Sequence, residues 1–229
     1  MRRRSLALLL AAGALAACSP RRTASPAAAA TPRAAIADDY WWLALEHDLS
    51  QGFCFTWVKG MIPQQVLKRL GGKELERVGW QQLVGSGDGQ QPAAANRYFI
   101  GVTRLEGWSL IVEDNGDLGV TDAIVRPLSK GTTVAALHRG ADGHGRFLLL
   151  QDTAVQLDFD PMTYAKRSGS RAAELAPMLA EVGFGVGDDP ARATDAGFAL
   201  AERLTGVQIT QDLLRKQTYV LTTVPRTVD

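Results

Sequence analysis

An α+β fold, a single domain with a mainly antiparallel sheet flanked by helices, is predicted by three observations. Hairpin signals cluster in the middle of the chain, at Glu106-Gly107 and around Asp152-Thr153. Helical apolar spacing concentrates toward the two ends of the chain, and no internal repeat runs through it. Residues 38–229 are long enough to bury a full core as one domain without disulfide staples.

The first seventeen residues stand apart from that domain. Arg2, Arg3 and Arg4 precede an apolar segment from Ser5 to Ala17, the layout of a secretory signal peptide. The segment covers roughly 20 Å as a helix, against about 30 Å of hydrocarbon, so it is too short to stay as a span. Leu15-Ala16-Ala17-Cys18 resembles the lipobox of bacterial lipoproteins. The resemblance covers the first twenty residues, and it implies diacylglyceryl transfer to the Cys18 thiol followed by cleavage before Cys18. Acyl chains there would anchor the mature protein on the extracytoplasmic face of the cell membrane. A plain secreted protein is the competing reading. Arg3-Arg4-Ser5-Leu6 loosely resembles a twin-arginine signal and leaves the export route open.

Residues 18–37 hold three prolines and many alanines without apolar periodicity, which reads as a flexible linker. The domain then opens at Asp38, with Asp39 as N-cap of a helix running through Tyr40, Trp41 and Trp42 to Leu45. Phe53–Val58 reads as a buried central strand. Pro63 opens a helix that Gly71-Gly72 ends, with Val66, Leu67 and Leu70 on one face. Residues 73–84 read as a second short helix containing Trp80, and Ser86–Asn96 as a loop.

Tyr98–Leu105 and Trp108–Glu113 form the first expected hairpin, with Asn115-Gly116 as the next turn. Thr121–Leu128 is a short helix candidate and Thr132–His138 a strand. Arg146–Gln151 and Ala154–Phe159 form a second hairpin, whose Val155, Leu157 and Phe159 alternate with polar residues. Ser170 is placed as the cap of a helix through Leu179 to Gly183, and Asp189-Pro190 as the start of another that ends at Gly206. Gln211–Val220 passes from helix into a last strand.

The ordered set Cys54-Phe55-Thr56-Trp57-Val58-Lys59-Gly60, Leu67-Lys68-Arg69-Leu70-Gly71, Gly107-Trp108-Ser109 with Asn115-Gly116, and Ala199 through Gly206 resembles an actinobacterial domain family of unknown function. The resemblance spans roughly residues 40–216 and implies a fold rather than an activity, because the shared residues are glycines, tryptophans and apolar positions.

Candidate chemistry is sparse. The chain has two cysteines, and with Cys18 lipidated Cys54 has no partner and is expected in the core. His138 and His144 could approach each other across a hairpin and, with Asp142, form a candidate metal site. Glu46-His47-Asp48 reads as a solvated helix end. Residues 139–145 lack the ending of a phosphate loop, residues 114–117 lack the spacing of a calcium loop, and no Gly-x-Ser-x-Gly elbow occurs. Trp57, Trp80 and Trp108 are expected in the core, whereas Tyr40, Trp41 and Trp42 are hard to bury completely on one helix, so they either pack against a neighbouring element or form the candidate interaction surface.

A net charge of +1 without a basic cluster argues against nucleic acid as a partner. The expected partners are the membrane, through the lipid anchor, and an envelope protein; no cofactor is called for. The leading expectation is a non-enzymatic binding or interaction module at the cell envelope. The alternative is an envelope hydrolase or metal-dependent enzyme using the His138/His144 region.

Overall fold

The computed structural model describes residues 33–84, 96–187 and 189–226. Cys18, the signal-peptide stretch, most of the expected linker and residues 86–95 of the expected loop lie outside the described residues. The folded unit begins at Ala34, and Ala35 and Ala37 are buried in it, so the last residues assigned to the linker belong to the domain.

An eight-stranded sheet organises the domain, with every neighbouring pair of strands antiparallel, as the hairpin signals predict. Its strands are β1 (Gly52–Lys59), β2 (Lys73–Val78), β3 (Arg97–Leu105), β4 (Trp108–Asp114), β5 (Thr133–Gly140), β6 (Gly145–Gln151), β7 (Ala154–Phe159) and β8 (Tyr219–Pro225). They lie in the order β2-β8-β3-β4-β1-β5-β6-β7, which puts β1 at the centre. The β6–β7 turn rests on Asp152 and Thr153, both with positive φ (46° and 68°). That is the backbone of a type I′ hairpin turn.

Side chains alternate between the two faces, and both are covered. On one face Phe53, Phe55 and Trp57 of β1 converge on Phe198, with ring centroids 5.7, 5.1 and 6.1 Å away. Phe198 belongs to helix α5 (Pro190–Thr205), which Asp189 caps by accepting the Ala191 N–H at 2.9 Å. The opposite face carries a smaller core under α1 (Pro63–Leu70) and α3 (Asp122–Leu128), built from residues such as Val66, Ile111, Val125 and Leu148.

Four local expectations are corrected. Lys73–Val78 is an edge strand paired with β8, not helix, and the short helix α2 covers only Trp80–Val84. Its Lys, Glu, Leu and Arg residues favour helix, but pairing with the outer edge of β8 overrides that weak bias. Asp39 is not an N-cap: the helix is a 3-10 helix, Ala37–Leu45, and the Asp39 carboxylate accepts the Ile36 N–H from its third position at 3.0 Å. Ser170 caps nothing, because its hydroxyl is engaged by Gln156 and Val155 of the sheet; the helix after it, α4, is Ala176–Val182. Glu46 is buried rather than solvated, and accepts from Gln211 and, at 3.0 Å, from Arg215; both donors stand on α6 (Gln211–Lys216).

Candidate functional site

The register of the central hairpins lines up polar side chains at the two ends of β4, β1, β5 and β6. At one end Lys59 pairs with Trp108, Val58 with Val134, and Thr133 with Gln151. Trp108, Lys59, Thr133 and Gln151 therefore form a row across four adjacent strands, all facing the side that carries α5. The Lys59 ammonium lies 5.8 Å from the Trp108 ring centroid, and the Trp108 indole N–H donates to the Thr205 carbonyl at 3.0 Å. The row lines a cavity of about 220 Å³, walled by Leu149, Leu204, Gln156 and Arg171.

Lys59, Thr133 and Gln151 also line a second, larger groove of about 1010 Å³ that opens on the α1 side. There α1 contributes Gln65, Lys68 and Arg69, and the β6–β7 turn contributes Asp152. Gly60 and Gly131 line the groove where a side chain would project into open space, and each has a positive φ (69° and 67°) that favours glycine. One guanidinium nitrogen of Arg69 donates to the carbonyls of Leu128 and Lys130, at 2.9 and 2.6 Å, which fixes the group at the C-terminal end of α3. Among the described residues neither Lys59 nor Lys68 forms an ion pair with a carboxylate. The groove holds three cations and one carboxylate, and the Asp152 carboxylate already accepts the Gly131 N–H at 2.7 Å.

The opposite end of the same strands carries a second row on the other face. Cys54 pairs with Glu113 on one side and with His138 on the other, and His138 pairs with Arg146. This row is closed. The 3-10 turn Leu118–Val120 lies over it, with the Leu118 N–H donating to Glu113 at 3.0 Å. Gly119 is packed so tightly that an added Cβ would fall 1.8 Å from the Thr56 hydroxyl and 3.0 Å from the Cys54 sulfur. Arg146 staples the cover in place, donating to Val120 O and Asp122 at 2.7 Å each and to both oxygens of Asp158 at 2.8 and 2.7 Å.

Burial decides the protonation of this end. It pushes the Glu113 carboxyl up to about 8, with the nearby Asp117 charge adding to the effect, so Glu113 is largely protonated at neutral pH. Burial and Glu113 together hold the Cys54 thiol well above its usual range, and burial lowers His138. A thiol kept from ionising is a poor nucleophile, so the Cys54–His138 neighbourhood is core rather than a thiolate centre.

The candidate residues are distributed as follows. The imidazole of His144 turns outward to Asp160, its Nδ1 2.7 Å from the carboxylate, while Asp142 caps the His144 N–H at 3.0 Å. His138 lies in the closed row, so the hairpin does not join the two imidazoles with Asp142. Among the described residues no three His, Cys, Asp or Glu side chains could hold a metal ion together. Of Tyr40, Trp41 and Trp42 only Trp41 is presented, 64% exposed. In a 3-10 helix successive residues turn by about 120°, so the three side chains point in three different directions and one of them is left facing away from the core. Tyr40 and Trp42 are core residues, with the Tyr40 hydroxyl donating to Glu202 at 2.9 Å. Lys59, Thr133 and Gln151 each stand at the end of a strand, a position that carries no local mark of a binding site.

The profile of a domain family described as a family of unknown function (DUF6461) matches residues 33–229. No curated protein and no solved structure matches the chain.

Proposed function

The chain belongs to the family of unknown function DUF6461, and we propose that it is a non-enzymatic binding module, tethered at the cell envelope by lipid on Cys18, whose groove beside Lys59 takes an anionic ligand. One observation carries the reading: an open groove of about 1010 Å³ lined by Lys59, Lys68 and Arg69, against the single carboxylate of Asp152. Apart from the Asp152 carboxylate, which accepts the Gly131 N–H, its polar side chains are ammonium, guanidinium, hydroxyl and amide groups, which bind and orient charge. The lipobox supports the location, and the Pro/Ala-rich residues 19–33 suit a spacer between lipid and domain.

Two measurements test the two halves of this reading. Cys18→Ser is expected to leave the protein uncleaved or to move it out of the membrane fraction; unchanged processing and anchoring would overturn the lipid anchor. For the groove, NMR titration of the Cys18→Ser protein with sodium phosphate and with citrate at low salt is expected to shift the amides of Lys59, Thr133 and Gln151 saturably. No saturable shift with either anion would overturn the groove as a binding site.

A further inference from the structure

Resting on that reading of the groove, we infer that its ligand is a phosphate monoester carrying a compact, largely uncharged organic body. Charge gives the first argument. Lys59, Lys68 and Arg69 against Asp152 leave two positive charges in excess in one groove. A phosphate monoester carries about 1.5 to 2 negative charges at pH 7 on a single group, whereas a carboxylate carries one. Two lysines with no carboxylate partner suit a phosphate, which accepts point-charge donors from several directions, better than a planar carboxylate that calls for a bidentate fork. Arg69 meets the groove already tied through one nitrogen to two carbonyls, so it is pre-positioned rather than recruited.

Space gives the second argument. At about 1010 Å³ the groove is far larger than a phosphate group. Lys59, Thr133 and Gln151 line both this groove and the neighbouring cavity of about 220 Å³. The added walls of that cavity are Trp108, Leu149 and Leu204 together with the Gln156 amide and the Arg171 guanidinium, whose charge Glu174 already pairs at 2.6 Å. Phosphate on the α1 side of Lys59 and body on the Trp108 side is the arrangement the two linings favour. Lys59 stands at the junction of the two linings, its ammonium 5.8 Å from the centroid of the Trp108 ring.

The test titrates the Cys18→Ser protein by NMR and calorimetry with glucose 6-phosphate, glucose, citrate, and vesicles of phosphatidylcholine with or without phosphatidic acid. Glucose 6-phosphate is expected to bind saturably, shifting Lys59, Lys68 and the indole N–H of Trp108, while glucose gives no response. Lys59→Gln and Lys68→Gln are each expected to weaken it by about tenfold or more, with unchanged circular dichroism showing that the fold persists. Binding to phosphatidic acid vesicles that Lys68→Gln abolishes would support the same chemistry and place its source in a lipid headgroup; binding of glucose 6-phosphate alone would place it in a soluble molecule. Citrate binding as tightly as glucose 6-phosphate would overturn the phosphate assignment and leave the anionic groove standing. Shifts confined to the α1 side, with Trp108 silent, would overturn the placement of the organic body. Silence of every probe would overturn both this inference and the reading it rests on.

Discussion

The two ends of β4, β1, β5 and β6 use the same device, a row of polar side chains set by hairpin register, with opposite results. Trp108, Lys59, Thr133 and Gln151 border open space, and Lys59 is the exposed end of its strand. Glu113 and Cys54 lie buried under a turn, where water is excluded and the carboxyl keeps its proton, with His138 and Arg146 at the partly exposed margin. What separates the two is the cover. Where Gly119 allows a turn to press onto the sheet, polar groups become part of the core. Where Gly60 and Gly131 leave space, they become a surface that can recognise something.

Removing the condition for closure is the harshest way to break this contrast. Gly119→Val places branched carbons where even a Cβ meets Thr56 and Cys54, so a loss of about 3 kcal/mol or more is expected in urea unfolding. A loss under about 1 kcal/mol would mean the turn lifts easily and the two ends differ less than drawn here.

The next effect appears as a pH slope. Glu113 rises from 4.5 to about 8 in the folded protein, so the folded state holds a proton that the unfolded chain has released. Stability is therefore complete below about pH 4.5 and falls as pH rises toward 8, by at most about 1.4 kcal/mol per unit. Glu113→Gln removes that slope, so the variant is expected to gain steadily on wild type as pH rises from 4.5 to 8. Parallel stability–pH curves for the two proteins would show that Glu113 titrates normally and that the end is wetter than its burial implies.

Smaller still is the staple. Arg146→Leu frees Val120 and leaves Asp122 and Asp158 without their shared cation, for an expected loss of about 1 to 2 kcal/mol, moderated by the partial exposure of the group. Faster hydrogen exchange of the Leu118 and Gly119 amides would accompany it. At the open end Lys59→Gln is expected to alter stability by less than about 0.5 kcal/mol. A large loss there would make Lys59 a structural residue and sharpen the comparison against a binding role.

Much of this architecture is legible in the chain, but only where the signal is local. Phe53–Val58 announces a buried strand by composition, Asp152-Thr153 a turn by its position between alternating segments, and Asp189-Pro190 a helix start by its cap. The fold class follows from such pieces. Lys73–Val78 escapes because its residues favour helix and only pairing with β8 makes them a strand. The candidate site escapes for a related reason. Lys59, Thr133 and Gln151 are ordinary strand ends until the register sets them side by side, and register between distant strands is written in no single segment. Glu46 shows the converse, a carboxylate in a charged tripeptide that Arg215, far along the chain, holds inside.

The way the folded unit starts has a mechanical consequence. Ala35 is buried, its carbonyl accepts from Arg203 at 2.8 Å, and Asp38 bonds Arg192 at 2.9 Å. A pull applied at Ala34 thus loads α5 through these bonds and through the stacking of Tyr40 on Phe198, 5.5 Å between centroids, before it reaches the sheet. Under such a pull the 3-10 segment Ala37–Leu45 is expected to peel before β1 is loaded, leaving Lys59, at the far terminus of that strand, undisturbed.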